Sequence, residues 1–292
     1  MKITELFERG EFVVSAEVGP PKGFHVEHLL EEAKTYLSGI TAVNVTDNQS
    51  SVMRLGSLAM CKALKDEGLT PIYQLTCRDR NRIALQSDLL SAAMFGIENL
   101  LLLTGDHTKL GDHPHAKPVF DLDSVSLIHA VKKLEEGVDL GGNELIGEAP
   151  KFAKGAVVSP CSDSVDAQLA KMERKVMAGA DYFQTQAVFE PEKFIKFMEK
   201  AKQFGKPVQV GIIIPKSAGM AKFMNNNVAG IHVPDEMIEE LKKDKEKTKA
   251  GITGVEIAAR IIKECKPYCQ GVHIMALGWE SKVPELLKAA GI

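Results

Sequence analysis

Eight short apolar, β-branched runs follow one another along the chain, and the segments between them have helical spacing. The runs are Phe12–Val18, Ala42–Asp47, Pro71–Cys77, Asn99–Thr104, Gly155–Ser159, Asp181–Val188, Pro207–Ile214 and Gly271–Leu277. Most are nearly continuous in apolar residues, as in Leu100-Leu101-Leu102-Leu103 or Val210-Gly211-Ile212-Ile213-Ile214. That is the pattern of parallel strands covered on both faces, not of antiparallel strands with one wet side. Between them, sets such as Val26, Leu29, Leu30, Ala33 and Leu37, or Val165, Leu169, Met172 and Val176, line one helical face with charges opposite. Five of the seven intervals between strand starts are about 30 residues, the length of one βαβ unit. Eight such units close most economically into a (β/α)8 TIM barrel, expected here as a single domain over residues 1–292.

Two intervals are longer and carry insertions, expected over 105–153 and 216–266. The first holds a Gly/His/Pro loop (Gly105–Pro118), a helix near Asp123–Glu136 and a polar stretch to Lys154. The second holds helical segments near Pro234–Lys249 and Thr253–Cys265. The run Lys242-Lys243-Asp244-Lys245-Glu246-Lys247 reads as a solvated helix face in preference to a partner-docking patch.

Lys and Arg total 36 against 39 Asp and Glu, a formal net charge of −3, so no global basic field exists to hold nucleic acid. Five cysteines, an odd number at irregular spacing, argue against a secreted disulfide framework and for a reducing compartment. The first residues show no secretory h-region, and no apolar run approaches the roughly 18 residues that span a bilayer. A cytoplasmic protein without membrane contact is expected.

In such a barrel chemistry collects at the C-terminal strand ends, and these ends are polar. Glu17 interrupts the apolar run Val13-Val14-Ser15-Ala16-Glu17-Val18. Aimed into the mouth, it would be desolvated in a way that favours its protonated form, as a general acid requires; the alternative is a structural ion pair with a Lys or Arg. Asp106 follows a four-leucine strand and a glycine, where backbone can approach a ligand; a turn-capping Asp is the competing reading. His107, His113 and His115, with Asp106 and Asp112, share one loop, but their spacing matches no zinc helix or finger and no metal site is expected. Cys265 and Cys269 are likewise spaced as buried thiols and not as a zinc pair. No G-x-G-x-x-G, P-loop or G-x-S-x-G elbow is present, so any redox cofactor would lie on the barrel itself.

Taken in chain order, the strand-end motifs resemble those of methylenetetrahydrofolate reductases. They are Glu17 before Gly-Pro-Pro-Lys, Val43-Asn44-Val45-Thr46-Asp47-Asn48, Gln74-Leu75-Thr76-Cys77-Arg78-Asp79, Leu103-Thr104-Gly105-Asp106-His107, Arg174-Lys175-Val176-Met177-Ala178-Gly179-Ala180, Thr185-Gln186 and His273-Ile274-Met275-Ala276-Leu277-Gly278. The resemblance runs from about residue 10 to the end. It implies a flavin-bearing barrel that reduces 5,10-methylenetetrahydrofolate to 5-methyltetrahydrofolate with electrons from NAD(P)H, the flavin passing hydride in alternate half-reactions.

By the same resemblance Glu17 matches the family's acid, which promotes opening of the five-membered ring. Asp106 matches the carboxylate near flavin and pterin, Gln186 a glutamine on the pterin, and Phe223 an aromatic that alternates between folate and nicotinamide. Thr46, Gln74, His107, Phe120, Ser159, Lys171 and Lys175, with Asp106, fall where the family holds its cofactor, the lysines suiting its phosphates. The chain departs from the pattern at Val18-Gly19, where many relatives have two aromatics, at Gln74, where His is common, and at Thr104, which stands for an Arg. FAD is the expected flavin, with FMN left open by these departures. The resemblance further implies a homo-oligomer, and short forms of this type include some that work with a zinc or iron–sulfur partner subunit. Feedback through S-adenosylmethionine, which longer relatives sense with a C-terminal domain, is not expected. The competing classes are another pterin-using or metal-dependent barrel enzyme, and a non-catalytic scaffold subunit that binds folate or flavin.

Overall fold

Parallel strands cannot be joined by tight turns, so each must be followed by a crossover that returns the chain to the same end of the sheet. The computed structural model describes residues 1–228, 230–243 and 251–292, and every crossover in it is helical. The strands are β1 (Val13–Val18), β2 (Ala42–Val45), β3 (Pro71–Thr76), β4 (Asn99–Leu103), β5 (Ala153–Val158), β6 (Tyr182–Ala187), β7 (Val208–Ile213) and β8 (Gly271–Met275). Each pairs in parallel with its successor and β8 closes on β1, with Val13 opposite Gly271 and Ser15 opposite Ala42. The chain is thus the (β/α)8 barrel that its eight runs imply. The helices are α1 (Ile3–Glu8), α2 (Glu27–Leu37), α3 (Ser57–Asp66), α4 (Arg82–Met94), α5 (Ser124–Glu135), α6 (Val165–Ala178), α7 (Pro191–Ala201), α8 (Ala218–Asn227), α9 (Asp235–Lys243), α10 (Ile252–Cys265) and α11 (Val283–Ala290).

Strands β2, β3, β7 and β8 are buried at every position, as their unbroken apolar character requires. Their outward residues pack under the helices in one continuous core that includes Val43, Leu75, Leu100, Leu102, Val210 and Ile274. A second cluster closes the barrel floor, where Ile3 and Leu6 of α1 cover Val13, Ala42, Ile72, Leu101, Ala153 and Tyr182. Gly155 makes room for this floor: a Cβ there would stand 2.4 Å from the Tyr182 ring and 2.7 Å from the Leu100 carbonyl, to which the Tyr182 hydroxyl donates at 2.8 Å.

Three details differ from the sequence expectation. β5 starts at Ala153 and not at Gly155, because Lys154, only 7% exposed, is neutralised inside the strand by Glu135 at 2.8 Å and Asp181 at 2.9 Å. Burial alone would lower its pKa, but those two carboxylates raise it. The second insertion carries a helix that the sequence reading lacked, α8, directly after β7 and capped by Ser217, whose Oγ accepts from the Met220 N–H at 3.2 Å. Of the segment expected near Pro234–Lys249, Asp235–Lys243 is helical; Asp244–Lys247 of the lysine-rich run lie outside the described residues, and Lys242 and Lys243 are exposed. No helix among the described residues is long and apolar enough to cross a membrane.

Candidate active site

Side chains alternate along a strand, so positions 13, 15 and 17 of β1, or 72, 74 and 76 of β3, climb one face toward the mouth. The lumen therefore changes in layers from the apolar floor, through Ser15, Asn44, Gln184, Gln209 and His273, to Glu17, Gln74 and Thr46 at the top. Above this stack lies a cavity of about 430 Å3 at the C-terminal strand ends. It is lined by Glu17, Thr46, Gln74, Asp106, Ser159, Lys171, Lys175 and Gln186, eight of the residues singled out from the sequence. A second cavity of about 420 Å3 adjoins it, lined by Gly19, Arg54, Leu277 and Gly278, and the two share Glu17, Thr46 and Gln49.

Glu17 is not an isolated acid, and among the described residues it is not half of a Lys or Arg ion pair. Its Oε1 accepts from Gln74 Nε2 at 3.1 Å and lies 3.3 Å from His273 Nε2, with the side chain 12% exposed. Thr46 Oγ1 is buried and has no hydrogen-bond partner among the described residues, an arrangement that is costly unless a ligand group fills it. Gly105 follows β4 at φ +90° and lines the cavity; a Cβ there would stand 3.1 Å from Thr76 Cβ and 3.2 Å from Arg78 Cβ in a backbone conformation that strains any side chain.

The loops at this end are held under tension. Among the described residues, all five non-glycine positions with positive φ are here: Asn48, Ser50 and Ser51 after β2, Phe120 before α5, and Leu277 after β8. Such strain persists only where the surroundings over-determine it. Part of that determination is Arg78, 2% exposed, whose guanidinium bonds to the Asp79 carboxylate and to the carbonyls of Asn48 and Asp106, tying three loops together. Asp47 is wholly buried and accepts from the Thr76 N–H at 2.9 Å, the Thr76 hydroxyl at 2.7 Å and Arg80 at 2.8 Å. Burial works against the Arg80 charge, yet Asp47 raises its pKa above the ordinary value.

On the opposite wall α6 presents Lys171 and Lys175 one turn apart. Lys175 donates to the Val157 carbonyl at 2.6 Å, and burial, followed by the neighbouring Lys171 charge, lowers its pKa to about 8. Two cations so placed, neither with a carboxylate bonded to it among the described residues, fit an anionic group such as a phosphate. Gln186 sits at an irregularity in the β6–β7 register between Gln184 and Ala187, and bulges of this kind re-aim side chains beside sites. Asp106 is exposed at the rim, and the capping role falls to His107, whose Nδ1 accepts from the Lys109 N–H at 3.2 Å.

Three expected residues do not line the cavity. His107 and Phe120 lie beside each other in the segment after β4, ring centroids 6.3 Å apart, with Phe120 packed against the main core. Phe223 is 61% exposed on α8. Asp112 is engaged by Lys22, by His113 at 2.8 Å and by the Met53 N–H at 3.0 Å, contacts that hold its carboxylate well below the usual range. Conversely, Arg78, Asp47 and the lumen set Ser15, Asn44, Gln184, Gln209 and His273 were not read as functional. A signal for the lumen set exists: Val43-Asn44-Val45, Val208-Gln209-Val210 and Val272-His273-Ile274 each place one polar residue at the middle of an apolar strand.

Comparison with known proteins now bears on this arrangement. The family model described as methylenetetrahydrofolate reductase matches residues 2–291. The chain belongs to the methylenetetrahydrofolate reductase family. Within it, the chain is 27% identical across its whole length to methylenetetrahydrofolate reductase 2 of Schizosaccharomyces pombe, of which it spans 48%. It is 27% identical over 87% of its length to 5,10-methylenetetrahydrofolate reductase of Salmonella typhimurium and 26% identical to that of Escherichia coli, spanning 82% of each. Among solved structures, a Clostridium thermocellum protein that binds two copies of 5-methyl-5,6,7,8-tetrahydrofolic acid superimposes with a TM-score of 0.68 at 14% identity, covering 99% of this chain and 98% of that one. Oxaloacetate acetylhydrolase superimposes with a TM-score of 0.54 at 13% identity over 98% of this chain and 82% of its own, a likeness of barrel alone.

Proposed function

We propose that this chain reduces 5,10-methylenetetrahydrofolate to 5-methyltetrahydrofolate through a flavin, with Glu17 as the general acid. The observation that carries the reading is the placement of Glu17 on the wall shared by two cavities of about 430 and 420 Å3, sizes suited to two organic occupants. The family and the names of its relatives support the reaction, and the neighbour that binds methyltetrahydrofolate supports the ligand class.

The residues fit a flavin. Lys171 and Lys175 would take its phosphate, Thr46 Oγ1 would gain its missing partner, and Gln74, Ser159 and the Gly105 backbone would line its ring system. A bound flavin supplies two-electron hydride chemistry, taking electrons from NAD(P)H. The chain's own part is acid–base and electrostatic. Glu17 donates a proton to the ring nitrogen of methylenetetrahydrofolate; the bond from that nitrogen to the bridging carbon breaks, and the other nitrogen's lone pair makes the bridge an electrophilic iminium. Asp106, at the rim of the same cavity, places negative charge where this cation develops. Gln186 orients the pterin, and Phe223, on α8 outside the cavity, would have to turn inward to meet a ligand.

An anaerobic absorbance spectrum before and after adding 5-methyltetrahydrofolate tests the whole reading. A flavin band that bleaches on addition is expected. A protein purified without flavin that takes up none, or one whose flavin ignores the folate, overturns it.

A further inference from the structure

We infer that Arg78 is a positioning residue for the folate step: its guanidinium tethers the Asp106 turn at the rim while Asp79 takes up its charge, so that the Asp106 carboxylate stays free to meet the cation developing on the substrate. The inference rests on the proposed role of Asp106 and adds the part that holds it in place.

Asp106 has little else to hold it. It is exposed, and it follows Gly105, whose φ is +90°. Among the described residues the one hydrogen bond to any of its atoms is the 3.3 Å bond that its carbonyl accepts from Arg78 Nη1. Its neighbours are engaged elsewhere. Thr104, two residues before, turns its hydroxyl to the Ser124 N–H at 3.1 Å and so serves α5, and Thr108, two residues after, donates to the Ala116 carbonyl at 3.0 Å. A surface turn that contains a glycine and makes no further bonds would wander without this contact.

Arg78 can act as the anchor because it is itself fixed. It is 2% exposed, its carbonyl accepts from the Val119 N–H at 2.8 Å, and Cys77 just before it donates to the Leu103 carbonyl at 3.1 Å, which carries the β3–β4 pairing up to this point. A guanidinium offers five N–H donors in a rigid planar fork. Nε and Nη2 grip the two Asp79 oxygens at 2.9 and 2.7 Å; Nη2 also reaches the Asn48 carbonyl at 3.3 Å, and Nη1 the Asp106 carbonyl.

The choice of acceptors separates holding from charge. The bidentate bond to Asp79 neutralises the guanidinium locally. The tether to Asp106 runs through its carbonyl, and its carboxylate enters no ion pair among the described residues. A cation bonded to that carboxylate would hold the turn equally well but would cancel the negative charge that an iminium requires.

Stopped-flow half-reactions of the flavin-loaded chain test this in a double-mutant cycle with Asp106→Asn. Arg78→Met should slow the folate half-reaction by roughly 10- to 100-fold, with the nicotinamide half-reaction close to its wild-type rate. Arg78→Lys keeps a cation for Asp79, and so a folded chain, but its single ammonium lacks the fork that spans two loops; it should slow the same step by less. In the Asp106→Asn background either substitution should add almost nothing. Equal slowing of both half-reactions, a wild-type folate rate in Arg78→Lys, or losses that multiply with that of Asp106→Asn would overturn the positioning role. In a crystal structure of the ligand-free Arg78→Lys chain, the Asp106 turn should be displaced from its wild-type position, and an unmoved turn overturns the tether. That comparison needs no turnover. A wild-type chain that does not reduce methylenetetrahydrofolate would therefore remove the role of Asp106 in the reaction, while the tether is judged separately.

Discussion

Replacing Lys175 by Met isolates the cost that the cavity imposes on its own cation. The displacement of the Lys175 pKa from 10.5 to about 8, caused by burial and then by Lys171, corresponds to about 3 kcal/mol held against folding. Below about pH 8 the folded and unfolded chains both carry this charge, and the full cost is present. Between about 8 and 10.5 the folded chain gives up the proton first, so the cost fades and wild-type stability rises relative to the variant. The variant also loses the bond to the Val157 carbonyl, a penalty of about 1–2 kcal/mol that does not depend on pH. The stability advantage of Lys175→Met in the ligand-free protein should therefore be greatest near neutral pH and shrink by about 3 kcal/mol toward pH 10.5. Paired urea titrations across that range measure it, other lysines and tyrosines cancelling in the difference. A difference that stays flat with pH would refute the reasoning, since a solvated Lys175 titrates alike in both states. Binding of a flavin phosphate should invert the comparison at neutral pH, because the ligand then supplies the counter-charge that only the wild type can use.

Glu17→Gln should lower methylenetetrahydrofolate turnover by roughly 10²- to 10⁴-fold while flavin content, read from absorbance, stays the same; turnover within a few-fold of wild type would remove Glu17 from the acid role. In stopped-flow measurements Asp106→Asn should slow the folate half-reaction more than the nicotinamide one, and equal slowing would dispose of its electrostatic role. Thr46→Val should leave the ligand-free protein as stable or more stable, its orphan hydroxyl being removed, yet weaken flavin binding several-fold in a fluorescence titration. Asp47→Asn removes one of the two carboxylates paired with Arg80, the other being Asp88 at 2.9 Å, and should cost about 1–3 kcal/mol, visible as a shifted urea midpoint; no measurable cost would mean that Asp88 alone satisfies the Arg80 charge.

The barrel was legible because its physical cause is local. Continuous apolar runs such as Leu100–Leu103 can be satisfied only by cover on both faces, and their recurrence with helices between them leaves few closures. Glu17, Asp106 and Gln186 were legible as polar residues ending such runs. Lys154 misled the reading of β5 because a charge was taken as the end of a strand, whereas Glu135 and Asp181, distant in sequence, neutralise it. Phe223, His107 and Phe120 show the opposite limit. Their matching motifs fix where they stand in the chain, but where a loop or α8 carries a side chain depends on rim geometry that no periodicity encodes.

The lumen explains why the sheet's polar residues escaped attention and why they matter. A buried amide or hydroxyl is tolerated only when its partners are complete, and in an eight-stranded barrel those partners come from strands far apart in the chain: Ser15 meets Gln184, 169 positions away, and His273, 258 positions away. No window along the sequence contains such a network, so each member reads as an isolated blemish in a strand. Once the barrel closes, the same residues form a layer resting on an apolar floor. That floor, and the helix cover outside, supply the burial that offsets a polar centre and five strained loop positions at the mouth. Stability is thus concentrated at one end of the strands and chemistry at the other, and Glu17, bonded to Gln74 and beside His273, stands where the polar layer of the lumen meets the cavity.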